Sequence, residues 1–171
     1  MALYRNGSFG DDDWQFPGET EPVPATGKVA LAKARLIAEW PKLRQRNAGA
    51  GVVLAAGERL DGLQEIIPHL RLVVVHVAKY ADGRHFSTAR LLRDRFGYQG
   101  ELRAVGDVLQ DQIVFLTRVG FDALDVTHPG TIGALREGRI KAVRHHYQPA
   151  SREGTETRPG PRPWLRVSET V

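Results

Sequence analysis

The sequence predicts an α/β fold: a small parallel sheet of about four to five strands built from βαβ units, either open and doubly wound or curled as a partial barrel. Three observations carry this. Short apolar runs recur at residues 51–55, 72–77, 102–105 and 123–126. Segments with helical periodicity lie between them, at 61–69, 87–96 and 107–119. Each run with its helix takes roughly 25 residues, the length of a strand plus a crossover helix, and such connections produce parallel pairing. Four or five strands are too few to close an eight-stranded barrel alone.

Taken in order, residues 1–27 read as an irregular arm and linker. Within it Asn6-Gly7, set between Leu3-Tyr4-Arg5 and Ser8-Phe9, is a hairpin signal, and Pro17-Gly18 through Pro24 is a linker. The α/β domain spans 28–149. Val29 to Arg46 carries apolar residues at 29, 32, 36, 37, 40 and 43, close to a helical stripe, with Val29-Ala30-Leu31 readable instead as a short strand ahead of it. Pro41 is expected to kink or restart that helix. Beyond the four apolar runs, Ile140 to His145 reads as a last strand. Residues 150–171 form a flexible tail, because Ser151 to Pro163 is polar and proline-rich with no hydrophobic period. Trp164 and Leu165 are its large apolar residues.

Composition narrows the function classes. Cysteine is absent, which excludes disulfides, a catalytic thiol and thiolate-held zinc or iron–sulfur clusters. No apolar stretch approaches a membrane span or a secretory h-region, so a cytoplasmic protein with no membrane partner is expected. The formal net charge of +4 is uneven: residues 1–25 hold one Arg against five acids, residues 151–171 four Arg against three Glu, and the stretch between carries +7. That excess favours small anions or acidic protein surfaces. Nucleic acid is not expected, because acids interleave with the basic residues and no aromatic–basic module is present. Dinucleotide, P-loop and nucleophile-elbow motifs are missing, so no cofactor is expected. Six histidines, at 69, 76, 85, 128, 145 and 146, show no ligand spacing, so no metal is expected.

In either α/β architecture the functional groups gather in the loops at the carboxyl ends of the strands. The densest polar loop there is Asp82 to Ser87. Gly83 permits a tight turn, Ser87 is a candidate helix N-cap, and Arg84 beside a helix N-terminus makes an anion cradle. A plain capped turn explains the same residues. The following helix places Arg90 and Arg93 three apart on a face beside the buried stripe of Ala89, Leu92 and Phe96, with Asp94 in reach of Arg90. Arg103 interrupts an apolar strand and must find a carboxylate, with Glu101, Asp107 and Asp111 the nearest in sequence. Asp107 after Gly106 reads as a helix N-cap and Asp111 as a first-turn acid; as a pair flanking Arg103 they are also candidate acid/base residues.

The run from Asp82 to Tyr98, followed by Gly100 to Gln112 and Arg118 to Asp122, resembles a bacterial family of unknown function. Its members are typically encoded beside assimilatory sulfite reductase and are often labelled oxidoreductases of sulfite reduction. The resemblance covers residues from about 28 to 126, is most specific at 79–122, and fades beyond Thr127. It falls on Asp82, Gly83, Arg84, Ser87, Arg90, Arg93, Glu101, Arg103, Gly106, Asp107, Asp111 and Gln112, the loops already selected on geometric grounds. It implies an accessory protein of sulfate assimilation and cysteine biosynthesis that supports sulfite reduction. Such a protein would bind the reductase, its electron donor or an oxyanion through Gly83, Arg84, Ser87, Arg90, Arg93 and Arg103. The alternative is an enzyme acting on a small anionic substrate at the strand rim, with Asp82, Asp107 or Asp111 as general base.

Overall fold

The computed structural model describes residues 2–79 and 82–140. The expected strand at 140–145 and the tail with Trp164 lie outside the described residues, apart from Ile140 itself. Eight strands form one mixed, mostly parallel sheet: β1 (Ala2–Arg5), β2 (Ser8–Gly10), β3 (Trp14–Gln15), β4 (Lys28–Ala32), β5 (Ala50–Leu54), β6 (Leu72–Val77), β7 (Glu101–Gly106) and β8 (Ala123–Val126). Four helices accompany them: α1 (Lys33–Leu43), α2 (Arg84–Arg90), α3 (Ile113–Arg118) and α4 (Pro129–Arg136).

Three strands come from the segment expected to be an irregular arm. The Asn6-Gly7 signal is realised as an antiparallel β1–β2 hairpin, with Leu3 opposite Gly10 and Arg5 opposite Ser8. Both turn residues have positive φ, 52° and 85°, the backbone that matches the twist of a tight hairpin. The sheet holds more strands than the expected four to five because pieces too short to show a period, such as Trp14-Gln15, pair only through tertiary neighbours. Val29 to Leu31 lies in strand β4, and α1 starts at Lys33 and runs unbroken past Pro41. The helix expected over 61–69 reduces to turns and one 3₁₀ turn at Ile67–His69.

Strand order is β2-β1-β8-β7-β6-β5-β4-β3, and β3 to β8 run parallel in unbroken sequence. A doubly wound sheet needs a reversal in that order, and none occurs here. Successive right-handed crossovers in one direction put every helix on the same face. That face carries Val52, Leu54, Val73, Val75, Leu102, Ala104 and Leu124 against Leu36, Leu63, Ile67, Leu92 and Leu116. The other face carries a smaller cluster of Trp14, Ala30, Leu72 and Val74.

Chain length dictates the curl. β2 and β3 stand at opposite edges, yet only Asp11, Asp12 and Asp13 join them. Laid flat, eight strands spaced about 4.8 Å apart would put those edges roughly 34 Å from one another. The step from Gly10 to Trp14 spans at most about 14 Å. The sheet therefore wraps around its helix-free face, with the short acidic segment closing the distance between edges.

Arg103, 1% exposed, points into that concave face from the middle of β7. Its Nη1 and Nη2 donate to Asp12 Oδ2 and Oδ1 at 2.6 and 3.1 Å, and its Nε donates to Glu101 Oε1 at 2.9 Å. Glu101 also accepts from Arg5 of β1 at 3.0 Å, and the Arg103 guanidinium lies 5.9 Å from the Phe16 ring centroid. Of the three carboxylates near it in sequence, only Glu101 pairs with it; the other partner comes from ninety-one residues away. The guanidinium is buried but Asp12 is exposed and Glu101 half-buried, so the cluster falls between a surface pair and a buried one, at about 1–3 kcal/mol. Arg103→Met is expected to lose about that much in chemical denaturation, and Asp12→Asn less, because Glu101 remains. A loss below about 1 kcal/mol for Arg103→Met would show that Asp12 and Glu101 simply return to water.

Candidate functional site

The carboxyl ends of β5, β6, β7 and β8 present four loops on one rim: Ala55–Glu58, the segment around Asp82, Asp107, and Thr127-His128. The β5 loop is closed by its own Glu58, which accepts the Ala55 N–H at 2.8 Å. Helix α2 begins at Arg84, not at Ser87, and its N-cap is Gly83. The correction has a local cause. Asp82 Oδ1 accepts the backbone N–H of Arg84 at 3.1 Å and its Nε at 2.8 Å, while Oδ2 accepts Nη2 at 2.6 Å. Asp82 thus takes the capping work, and Ser87 lies exposed inside the helix.

The Asp82–Arg84 pair leaves each group largely spent on the other. The Arg84 guanidinium holds the Asp82 carboxyl far below the usual range, at about 2. Arg84 also lies flat over Gly57, so closely that a Cβ at Gly57 would overlap the guanidinium. The loops after β5 and β6 are tied together by this contact. Gly57 has φ +72°, a backbone that favours glycine, while the exposed Arg84 head over it could swing aside. Gly57→Ala is expected to cost more than about 1 kcal/mol and to return Asp82 toward an ordinary carboxylate pKa. Thermal denaturation and carboxyl titration by NMR check this, and an unchanged Asp82 would mean that Arg84 stays in place.

The other candidate arginines are also committed within the chain. Arg90 meets Asp94 at 3.2 Å across one helical turn. The helix continues from α2 as a π-helical turn, Leu91–Arg95, which carries Arg93. Arg93 is buried rather than on a solvated face. Its Nε and Nη2 donate to Gly120 O at 3.0 and 2.9 Å, Nη1 to Gly100 O at 3.0 Å, and Nη2 to Asp122 Oδ2 at 2.5 Å. Sequence spacing placed Arg93 beside the buried stripe, but four residues past Ala89 it is close enough to turn inward once carbonyls await it. The glycines at 100 and 120 are the signal: neither has a side chain to shield its carbonyl.

Asp107 is not a helix N-cap. It lies in the loop after β7, its N–H donating to Val77 O at 2.9 Å, and the next helical turn starts three residues later at Gln110. Asp111 sits in that turn as expected and lines a cavity of about 980 Å³ with Val114, His128, Thr131 and Arg139. His128 caps α4, its Nδ1 accepting the Thr131 N–H at 3.3 Å. The structure therefore places Asp82 and Asp107 in two rim loops and Asp111 in a cavity at the β7–β8 end of the rim whose lining includes neither of them. Among the described residues no group of three or more His, Asp or Glu is placed to hold a metal ion. No described helix is long and apolar enough to cross a membrane.

Sequence reasoning passed over two buried polar groups. Asp125, on the concave side of β8, has an Oδ1 with no hydrogen-bond partner among the described residues, and burial pushes its pKa up. His85 is 3% exposed, its ring centroid 4.1 Å from that of Phe86 and its Nε2 unpartnered among the described residues. Burial pushes the His85 pKa down, against the pull of Asp82. A histidine held neutral contributes stability that is complete above its unfolded value of about 6.5 and is lost as the pH falls from there to the lowered folded value. His85→Leu is expected to flatten the stability profile in that window and leave intact the loss below about pH 3.8 due to Asp82. An unaltered slope between pH 6.5 and 5 would show that His85 does not titrate with unfolding.

A family model described as a bacterial protein of unknown function (DUF934) matches residues 51–157, from β5 onward. No curated protein matches the chain.

Proposed function

The chain belongs to this bacterial family of unknown function, and on that premise we propose an accessory binding protein: cytoplasmic, part of sulfate assimilation, supporting sulfite reduction by docking on the reductase or its electron donor. The observation that carries the reading is where positive charge is left unspent. Arg84, Arg90, Arg93 and Arg103 are each paired with a carboxylate of the same chain. Arg44 and Arg71 are exposed, with no carboxylate partner among the described residues. Charge that folding has not neutralised is available to a partner and steers its approach.

Chemistry at the strand rim is the weaker reading. A general base works best with a pKa near the operating pH, and Asp82 is held at about 2 by Arg84. Asp111 lines a cavity with His128 at the β7–β8 end of the rim, and the lining of that cavity does not include Asp82. The sulfur-pathway context rests on the resemblance of residues 79–122 alone.

The test is co-purification from cells assimilating sulfate, together with growth of a deletion strain. Recovery of sulfite reductase or its electron donor, and a requirement for reduced sulfur, are expected. No association combined with unimpaired growth on sulfate would overturn the reading.

A further inference from the structure

Beside its buried anchors, helix α1 carries a second stripe that reaches the solvent, in which Trp40 is half-buried against the core and Ile37 is exposed. Leu36 and Leu43 are its buried anchors. Ile37, Trp40, Pro41 and Arg44 lie at positions i, i+3, i+4 and i+7, one face of a helix, and Ile37 is 39% exposed. Opposite that stripe runs the irregular segment from Gly62 to Arg71. Between them is a groove of about 1120 Å³, at the amino ends of the strands and so away from the rim loops.

The lining has a definite chemistry. Arg44, Arg46 and Arg71 contribute three guanidinium groups against one carboxylate, Glu65. Arg46 donates Nη2 to Gly27 O at 3.0 Å, while its Nε is buried without a partner among the described residues. Trp40 packs at 6.1 Å from the His69 ring, giving an aromatic floor beside the basic residues. Arg44 and Lys42 also complement the carboxyl end of the α1 dipole, which accounts for their presence on the helix but not for Arg71 facing them from another element.

We propose that this groove is the docking site for an acidic segment of a partner protein, one carrying Asp or Glu beside apolar side chains. The proposal rests on the docking reading above and gives it a place. A groove of about 1120 Å³, at the upper end of the range for single-ligand pockets, has room for several residues of chain. Charge complementarity selects an acidic chain, with the Arg residues meeting its carboxylates bidentately and Trp40 and Ile37 taking its apolar side chains.

The experiment uses the full chain and a fluorescein-labelled peptide alternating Glu or Asp with Leu and Tyr, followed by anisotropy. Salt-dependent binding is expected, weakened about tenfold or more in Arg44→Glu/Arg71→Glu. A control with the same charge change elsewhere, Lys79→Glu/Arg95→Glu, should keep most of the affinity. Equal loss in both variants would reduce the effect to net charge and overturn the site, as would no binding by the wild type. Trp40→Ala, which removes the aromatic floor without altering charge, should also weaken the peptide; no effect would remove the groove from the interaction. Sulfite or phosphate displacing the peptide at concentrations too low to screen charge would assign the groove to a free oxyanion instead. If the peptide binds here while neither sulfite reductase nor its electron donor co-purifies and the deletion strain grows unimpaired on sulfate, the sulfur-pathway reading fails and the groove stands.

Discussion

A single guanidinium on the concave face of a curled sheet holds the N-terminal segment to the parallel strands. Arg103 is almost wholly removed from water, and a charge in that position is tolerable only while its carboxylates stay with it. One of them, Asp12, lies in the three-residue link that joins the two edges of the sheet. The curl, the placement of β3 beside β4 and the closeness of β1 to β7 through Arg5 and Glu101 are thus coupled to one ion-pair cluster. Loss of Asp12 would free the segment whose shortness bends the sheet.

The same economy runs through the helix layer. Arg93 gathers the carbonyls of loops that would otherwise end in unsatisfied backbone groups, and Asp122 in turn accepts the Leu102 N–H at 3.0 Å, so helix, loop and strand share one network. Arg84 fastens the loops after β5 and β6 across Gly57. Of the arginines that look from the sequence like a basic cluster, Arg93 and Arg103 are buried fasteners, while Arg84 and Arg90 meet carboxylates of the same chain at the surface. Arg44 and Arg71, exposed and without a carboxylate partner among the described residues, lie at the opposite end of the sheet, around the carboxyl end of α1.

Much of the scaffold was legible beforehand. The apolar runs at β5, β6, β7 and β8 had the period and the spacing of buried parallel strands, and the Asn6-Gly7 turn carried its own conformational signature. β3 carried none, since two residues of Trp14-Gln15 have no period, and the 61–69 segment showed apolar positions that serve packing without a continuous helix. At the site, the Arg90–Asp94 pair followed from spacing on one helix. Ser87 and Asp107 looked like caps because a small polar residue before an apolar run usually is one. The true starts at Arg84 and Gln110 were set by hydrogen bonds of neighbouring loops.

By itself the sequence determined the α/β class, the parallel core, the hairpin at the front, the absence of any thiol chemistry, and the need of Arg103 for a carboxylate. These are local or compositional facts: periodicity, turn dihedrals and the solvation cost of a charge do not depend on where the rest of the chain goes. Tertiary structure alone decided that the sheet is wound in one direction and curled, that Asp12 is the partner of Arg103, that Arg93 faces inward, and that Arg44 and Arg71 converge on one groove. Each of these depends on residues brought together across distances that no local pattern encodes, where a three-residue link, a carbonyl in reach or an empty space beside a helix settles which of several chemically equivalent partners is met.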